Sequence, residues 1–331
     1  MKAQAPPEPT TADGDIRKVG VEIEFAGLDP MATAEMVQSL FDGRIEVQSA
    51  HRMKVSDTQW GDFKIELDSQ YVHPESPEDA AKTPGDDWDR MRRDLDRRSR
   101  ELLGDMVTGL VPTEIVCPPV PWDELDKLDA MFDGLREHGA KGTEASLMYG
   151  FGLHLNPELP SLEAEDILRY LRAYLLSADW LREQIRVDIT REVLPHANPF
   201  HKRYCLKLFD EDYAPDIDQL IDDYLADNDT RNRDLDMLPL FAHLRPDHPH
   251  ELFRKELVQP RPTFHYRLPN AQLSEADWGA VTEWNRWLEV ERLACAPETL
   301  HERMAEYRAR HLDSSLWQKI KHKLKGDSKD G

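Results

Sequence analysis

The chain is short of cysteine, of positive charge and of long apolar runs, and each shortage closes off a class of protein. Its 331 residues include three cysteines, Cys117, Cys205 and Cys295, far apart and without CxxC spacing. An odd, scattered set argues against a disulfide scaffold or a cysteine zinc site and predicts a reducing, cytoplasmic setting. Lysine and arginine number 42 against 64 aspartates and glutamates, a formal net charge of −22. A field of that sign repels phosphate backbones, so nucleic acid is not an expected partner. No stretch approaches the roughly 20 apolar residues that a membrane helix needs. The N-terminus lacks an apolar core of the signal-peptide type. Two catalytic signatures are missing too: the Gly-x-x-x-x-Gly-Lys-Ser/Thr phosphate loop and the Gly-x-Ser-x-Gly nucleophile turn.

What remains is a water-facing chain, 40% hydrophobic and 32% charged, long enough to bury a large core. Short runs with polar residues at every second position alternate with long charged segments of helical spacing. The alternation predicts strands over Arg17–Ala26, Arg44–Ala50, Phe63–Tyr71, Leu110–Val116, Gly152–Asn156 and Thr263–Leu268. Helices are expected over Asp86–Leu103, Trp122–His138 (stopped by Gly139), Glu163–Ser177, from Ser274 onward, and over Pro297–His311. Strands spread along the whole chain predict one α+β sheet domain over 16–312. Residues 1–15 read as a disordered lead-in and 313–331 as a basic tail. That tail has five lysines in its last thirteen residues, with Trp317, Ile320 and Leu324 at near-helical spacing. It reads as an amphipathic helix with an anionic partner, or as a solvated tail docked on its own domain.

The strands carry the chemistry. In Val19-Gly-Val-Glu-Ile-Glu-Phe25 the apolar side chains share one face and Glu22 and Glu24 the other. Two carboxylates about 7 Å apart repel unless a cation lies between them, and Mg²⁺ is a natural occupant. A solvated strand face would read the same for one strand alone. The pattern recurs, however: Lys64, Glu66 and Asp68 opposite Phe63, Ile65 and Leu67; Glu114 before Pro118-Pro119; His154 with Asn156; His265 with Arg267. Carboxylates with an occasional imidazole suit Mg²⁺ or Mn²⁺, and arginine beside them suits phosphate. A polar turn, Arg231-Asn232-Arg233, precedes an apolar helical stretch and offers guanidinium forks and helix amides to an anion. Its bland alternative is helix-start polarity with Asp234 and Asp236 as local partners.

The order of these elements resembles the amidoligase family of the glutamine synthetase and glutamate–cysteine ligase superfamily. They run ExE strand, acidic strand, Glu114-Ile-Val-Cys-Pro-Pro, Gly152-Leu-His-Leu-Asn, Thr230-Arg-Asn-Arg, and a strand ending Arg267-Leu-Pro-Asn. The resemblance spans about Val19 to Asn270. It implies an antiparallel sheet curved into a half-barrel, with helices on the convex side and ATP and metal in the concave face. Carried over residue by residue, Glu22, Glu24, Glu114 and His154 take metal positions, with His265 where relatives commonly have Glu. Asp68 becomes a ligand or substrate contact, Arg267 faces phosphate, and Asn156, Arg231, Asn232 and Arg233 border the nucleotide. The activity implied is ATP-dependent ligation of a small-molecule or peptide carboxylate to an amine through an acyl phosphate. Glu22 or Asp68 is a candidate base, and Arg267 holds the transferring phosphoryl group. Three other readings stay open: a guanidino kinase-like phosphotransferase on the same sheet, a non-enzymatic metal- or peptide-binding scaffold, and a metal-dependent hydrolase.

Overall fold

The computed structural model describes residues 1–67, 112–143, 151–185, 198–255 and 258–326, with side chains through residue 312. Nine strands form one open sheet: β1 (Lys18–Phe25), β2 (Arg44–Ser49), β3 (Arg52–Thr58), β4 (Gly61–Leu67), β5 (Thr113–Val116), β6 (Val120–Pro121), β7 (Leu153–Pro157), β8 (Leu235–Asp236) and β9 (His265–Tyr266). Their order is β2-β3-β4-β5-β1-β7-β9-β8, with β6 pairing β1. Every strand pairing among the described residues is antiparallel. The helices are α1 (Pro30–Phe41), α2 (Leu125–Leu128), α3 (Ala130–Glu137), α4 (Ala164–Ile185), α5 (Lys202–Leu208), α6 (Ile217–Asp227), α7 (Leu238–Leu244), α8 (Ala280–Ala294) and α9 (Pro297–Gly326). The fold is therefore mixed α+β with an unclosed antiparallel sheet.

Period-two alternation sets the core. Val19, Val21, Ile23 and Phe25 of β1 are fully buried, as are Phe63 and Ile65 of β4 and Leu153 and Leu155 of β7. α1 starts where Asp29 accepts the amides of Met31 and Ala32 and Pro30 pre-sets the first turn. It packs on β3 and β4, with Phe41 stacked on Phe63 at 5.3 Å. α4 and α8 meet behind β9 in an aromatic cluster of Tyr170, Tyr174, Phe264, Tyr266 and Trp287. Trp287 is fully buried there, so truncating it to alanine would cost about 3–5 kcal/mol.

Several boundaries differ from expectation. β3 was not anticipated: Met53 and Val55 point inward, and the strand pairs β2 through a tight turn at Ala50-His51. Over the expected Thr263–Leu268 strand, regular pairing narrows to His265–Tyr266, because Pro262 and Pro269 bracket it and lack ladder donors. α8 begins at Ala280, later than Ser274. Its N-cap is Gly279, which has no capping side chain, and Asp129 reaches across to accept the Val281 amide at 3.3 Å. α4 and α9 run on to Ile185 and Gly326. Gly139, in the left-handed region at φ 81°, ends α3 as read from the sequence.

The expected disordered lead-in instead lies along the helices. Gln4 accepts from the Trp284 indole at 3.0 Å, and Glu8 accepts from Arg169 at 2.6 Å and Tyr170 at 2.9 Å. Arg17, 1% exposed, makes two bonds to Glu291 at 2.9 and 2.7 Å. Prolines hold this segment extended, and Arg169, Tyr170 and Trp284, which donate to it, lie 161 to 280 positions later. The expected helix over Asp86–Leu103 lies outside the described residues.

Candidate active site

With the odd-numbered residues of β1 in the core, Gly20, Glu22 and Glu24 fall on the opposite face. Antiparallel register sets Glu22 directly opposite His154 of β7, and Glu24 opposite Glu114 of β5. Glu66 of β4 meets Glu114 from the other side, so three carboxylates line up across neighbouring strands. Pairing Tyr266 with Leu155 on the core face sends His265 to the same side as His154. The two imidazoles stand edge to face, with centroids 5.2 Å apart.

Glu22 is the hub. Its Oε2 lies 3.1 Å from His154 Nδ1 and 3.8 Å from His265 Nε2, and its Oε1 accepts from Asn156 Nδ2 at 2.9 Å. Arg261 donates to the same Oε1 at 3.3 Å and to Asn156 Oδ1 at 2.8 Å. Gly20 leaves room for Asn156: a β-carbon there would sit 3.1 Å from the Asn156 β-carbon. Glu24 accepts the Gly152 amide at 2.9 Å. The ligand atoms of Glu22, His154 and His265 all lie within 4.8 Å of one another, and so do those of Glu24, Glu114 and His154.

Burial alone would raise the Glu22 carboxyl. The His154 hydrogen bond and the Arg261 charge outweigh it and hold the group well below the usual carboxylate range. Burial lowers the His265 imidazole to about 3, and the charges of Arg261 and Arg267 add to that effect. The ring is therefore neutral at physiological pH. His265 is 6% exposed and neither ring nitrogen makes a hydrogen bond. Two imidazoles and three carboxylates on one half-buried face can bind divalent cations, and an unsatisfied buried imidazole is the form such a ligand takes.

The structure brings together Glu22, Glu24, Glu114, His154, Asn156 and His265. Arg267, 5% exposed, lies beside them at the β8–β9 end and donates to the Arg231 carbonyl at 2.7 Å. In the Arg231-Asn232-Arg233 turn, the Arg233 side chain packs within the protein. Arg233 stacks on Phe200 and donates to the Pro199 carbonyl at 2.5 Å, so its guanidinium braces the loop. The helix amide behind the turn is also taken, because Asp236 accepts from Leu238 at 3.0 Å. Asp68 lies outside the described residues.

Two participants escaped sequence reasoning. Arg261 sits between Pro260 and Pro262, which restrict the backbone, and its side chain reaches Glu22 and Asn156 on the sheet's polar face. Asp236, fully buried, stands 3.5 Å from His265 Nδ1. The prolines flanking an arginine were the available signal for the first; the second depends on a pairing only two residues long.

The model of a protein family described as "Putative amidoligase enzyme" matches residues 15–289, about five-sixths of the chain. The chain belongs to this family. No curated protein and no solved structure matches it. Every site residue discussed above lies within the matched amidoligase segment. Membership supports an amide-forming ligase in general, acting on small molecules. No described helix is long and apolar enough to cross a membrane.

Proposed function

We propose that the chain is an ATP-dependent carboxylate–amine ligase working through an acyl phosphate. The observation that carries this reading is the pair of overlapping ligand groups, Glu22-His154-His265 and Glu24-Glu114-His154, bordered by Arg261 and Arg267. The half-barrel curvature of related ligases, with this face concave, is part of the same proposal. Mg²⁺ or Mn²⁺ bound here would offset charge on the ATP phosphates. Glu22, Glu24, Glu114, His154 and His265 would hold the metal. A substrate carboxylate oxygen then attacks the γ-phosphorus, the bond to the β-phosphate oxygen breaks, and ADP leaves. An amine attacks the acyl carbon, the carbon–oxygen bond to phosphate breaks, and the amine gives up a proton.

Arg267 and Arg261 orient phosphoryl oxygens, each as a planar fork that a point charge cannot copy. Asn156 and Gly20 keep Glu22 in place. We assign Glu22 to ligation and not to proton transfer, since a carboxylate held well below its usual range is a poor base at neutral pH. Asp68 is the proposed base or substrate contact.

The test is ADP and phosphate release by the full chain against pooled carboxylates and amines. Release that needs ATP, a divalent cation, a carboxylate and an amine together supports the ligase. ADP with a phosphorylated product and no need for amine identifies a phosphotransferase, and no ADP under any condition leaves a binding scaffold.

A further inference from the structure

Of the two ligand groups, one is unlike the other. Glu24 and Glu114 offer oxygen, with His154 shared; the second group offers two imidazoles, His154 and His265, and the single carboxylate of Glu22. His265 is 94% buried, faces Glu22 at 3.8 Å through Nε2, and makes no hydrogen bond through either nitrogen. On its Nε2 side such a buried imidazole loses its water without gaining a partner, which is costly unless an ion completes it.

The surroundings also choose its tautomer. Asp236 Oδ2 lies 3.5 Å away on the Nδ1 side, and its other oxygen is fixed by the Leu238 amide at 3.0 Å. A ligating histidine needs an acceptor for the ring N–H that does not bind metal, and a carboxylate there orients the ring and raises its basicity. With Asp236 opposite Nδ1, the lone pair falls on Nε2, the nitrogen facing Glu22 and His154.

We infer that the Glu22-His154-His265 position takes a first-row transition-metal ion, even Mn²⁺ at the weak end of that series, in preference to Mg²⁺, with Asp236 as the positioning residue of His265. This rests on reading the face as a metal centre, and it adds which ion one position takes. Mg²⁺ demands octahedral oxygen and sheds water reluctantly, whereas imidazole favours ions further along the divalent series. The oxygen-rich Glu24-Glu114 side remains suited to Mg²⁺. The two positions thus differ in donor chemistry, and the difference lies largely in one residue.

The experiment uses the full chain without nucleotide, titrated with Mn²⁺ and followed by electron paramagnetic resonance, with Mg²⁺ as competitor. The expected result is at least one Mn²⁺ held roughly tenfold or more tightly than Mg²⁺. Pulsed measurements on that ion should show nitrogen coupling from two imidazoles, a readout needing neither variant nor activity. His265→Glu should keep one imidazole coupling and bring the Mn²⁺ preference down to within about threefold. Asp236→Asn, which retains an acceptor for the Leu238 amide, should weaken Mn²⁺ by roughly tenfold. Equal displacement of Mn²⁺ by Mg²⁺, or bound Mn²⁺ without nitrogen coupling, overturns the inference and leaves the metal centre standing. No divalent ion bound at all removes both.

Discussion

Glu24→Gln should make the protein more stable without metal and less stable with it. The carboxylate atoms of Glu24 and Glu114 lie within 4.8 Å on directly opposed residues. Coulomb repulsion at that spacing is about 0.9 kcal/mol in bulk water and about 3.5 kcal/mol at an effective dielectric near 20. Both groups are half-buried, so the folded metal-free protein carries roughly 1–2 kcal/mol of this repulsion. Glutamine keeps an oxygen for the Gly152 amide, now bonded at 2.9 Å, and removes the charge. Calorimetric melting in chelator should then place the variant a few degrees above wild type. Saturating Mg²⁺ or Mn²⁺ should reverse the order, because an ion at a hundred times its dissociation constant stabilises the native state by about 2.7 kcal/mol. The variant has lost a ligand and should gain far less. Two results refute the reasoning: a variant that melts below wild type in chelator, or an equal cation shift in both proteins.

Arg267→Lys should cost on the order of 2–4 kcal/mol of transition-state stabilisation, roughly a hundredfold or more in ADP release, because lysine cannot hold the Arg231 carbonyl and a phosphoryl oxygen together. Activity within about twofold of wild type would remove it from the mechanism. Arg261→Ala removes a competing cation from the Glu22 oxygen, which it now binds at 3.3 Å beside Asn156. It should tighten divalent-cation binding several-fold in calorimetric titration while weakening ATP, and weaker binding of both would count against the assigned role. Burial raises the Asp129 carboxyl to about 6, so its neutral form is favoured by folding. Its contribution is fully present below the unfolded value near 3.8 and is lost as pH rises through about 6. Asp129→Asn, which still offers an oxygen to the Val281 amide, should therefore raise stability by about 1–3 kcal/mol at pH 7.5. The gain should vanish near pH 4, and melting curves across that range that differ by a constant amount would contradict it.

The sheet was readable because period-two alternation is a local signal: Val19 through Phe25 announce both their own burial and the shared face of Glu22 and Glu24. That His154 and His265 join them needs only parity within each strand. The unreadable parts depend on partners far away in the chain. Asp129 caps a helix that begins 151 residues later, and no residue near Ala280 reports it. Arg233 looked like an anion fork from its neighbours, yet Phe200 and the Pro199 carbonyl occupy it. β3 was locally legible, with Met53 and Val55 alternating, but Arg52, Lys54 and Asp57 gave it a surface-loop composition.

The strand order sets a timetable for synthesis. β1, the strand at the middle of the sheet, is complete by Phe25, yet β7 and β9, which continue the sheet on one side of it, end at Pro157 and Tyr266. At roughly 5–20 residues per second, some 12–50 s separate the emergence of β1 from that of β9. During that interval Val19, Val21, Ile23 and Phe25 form an apolar ribbon with an open edge, the kind of segment chaperones hold and aggregation recruits. Ribosome-stalled chains shorter than about 270 residues should accordingly remain protease-sensitive, because β9 has yet to close the sheet beside β7.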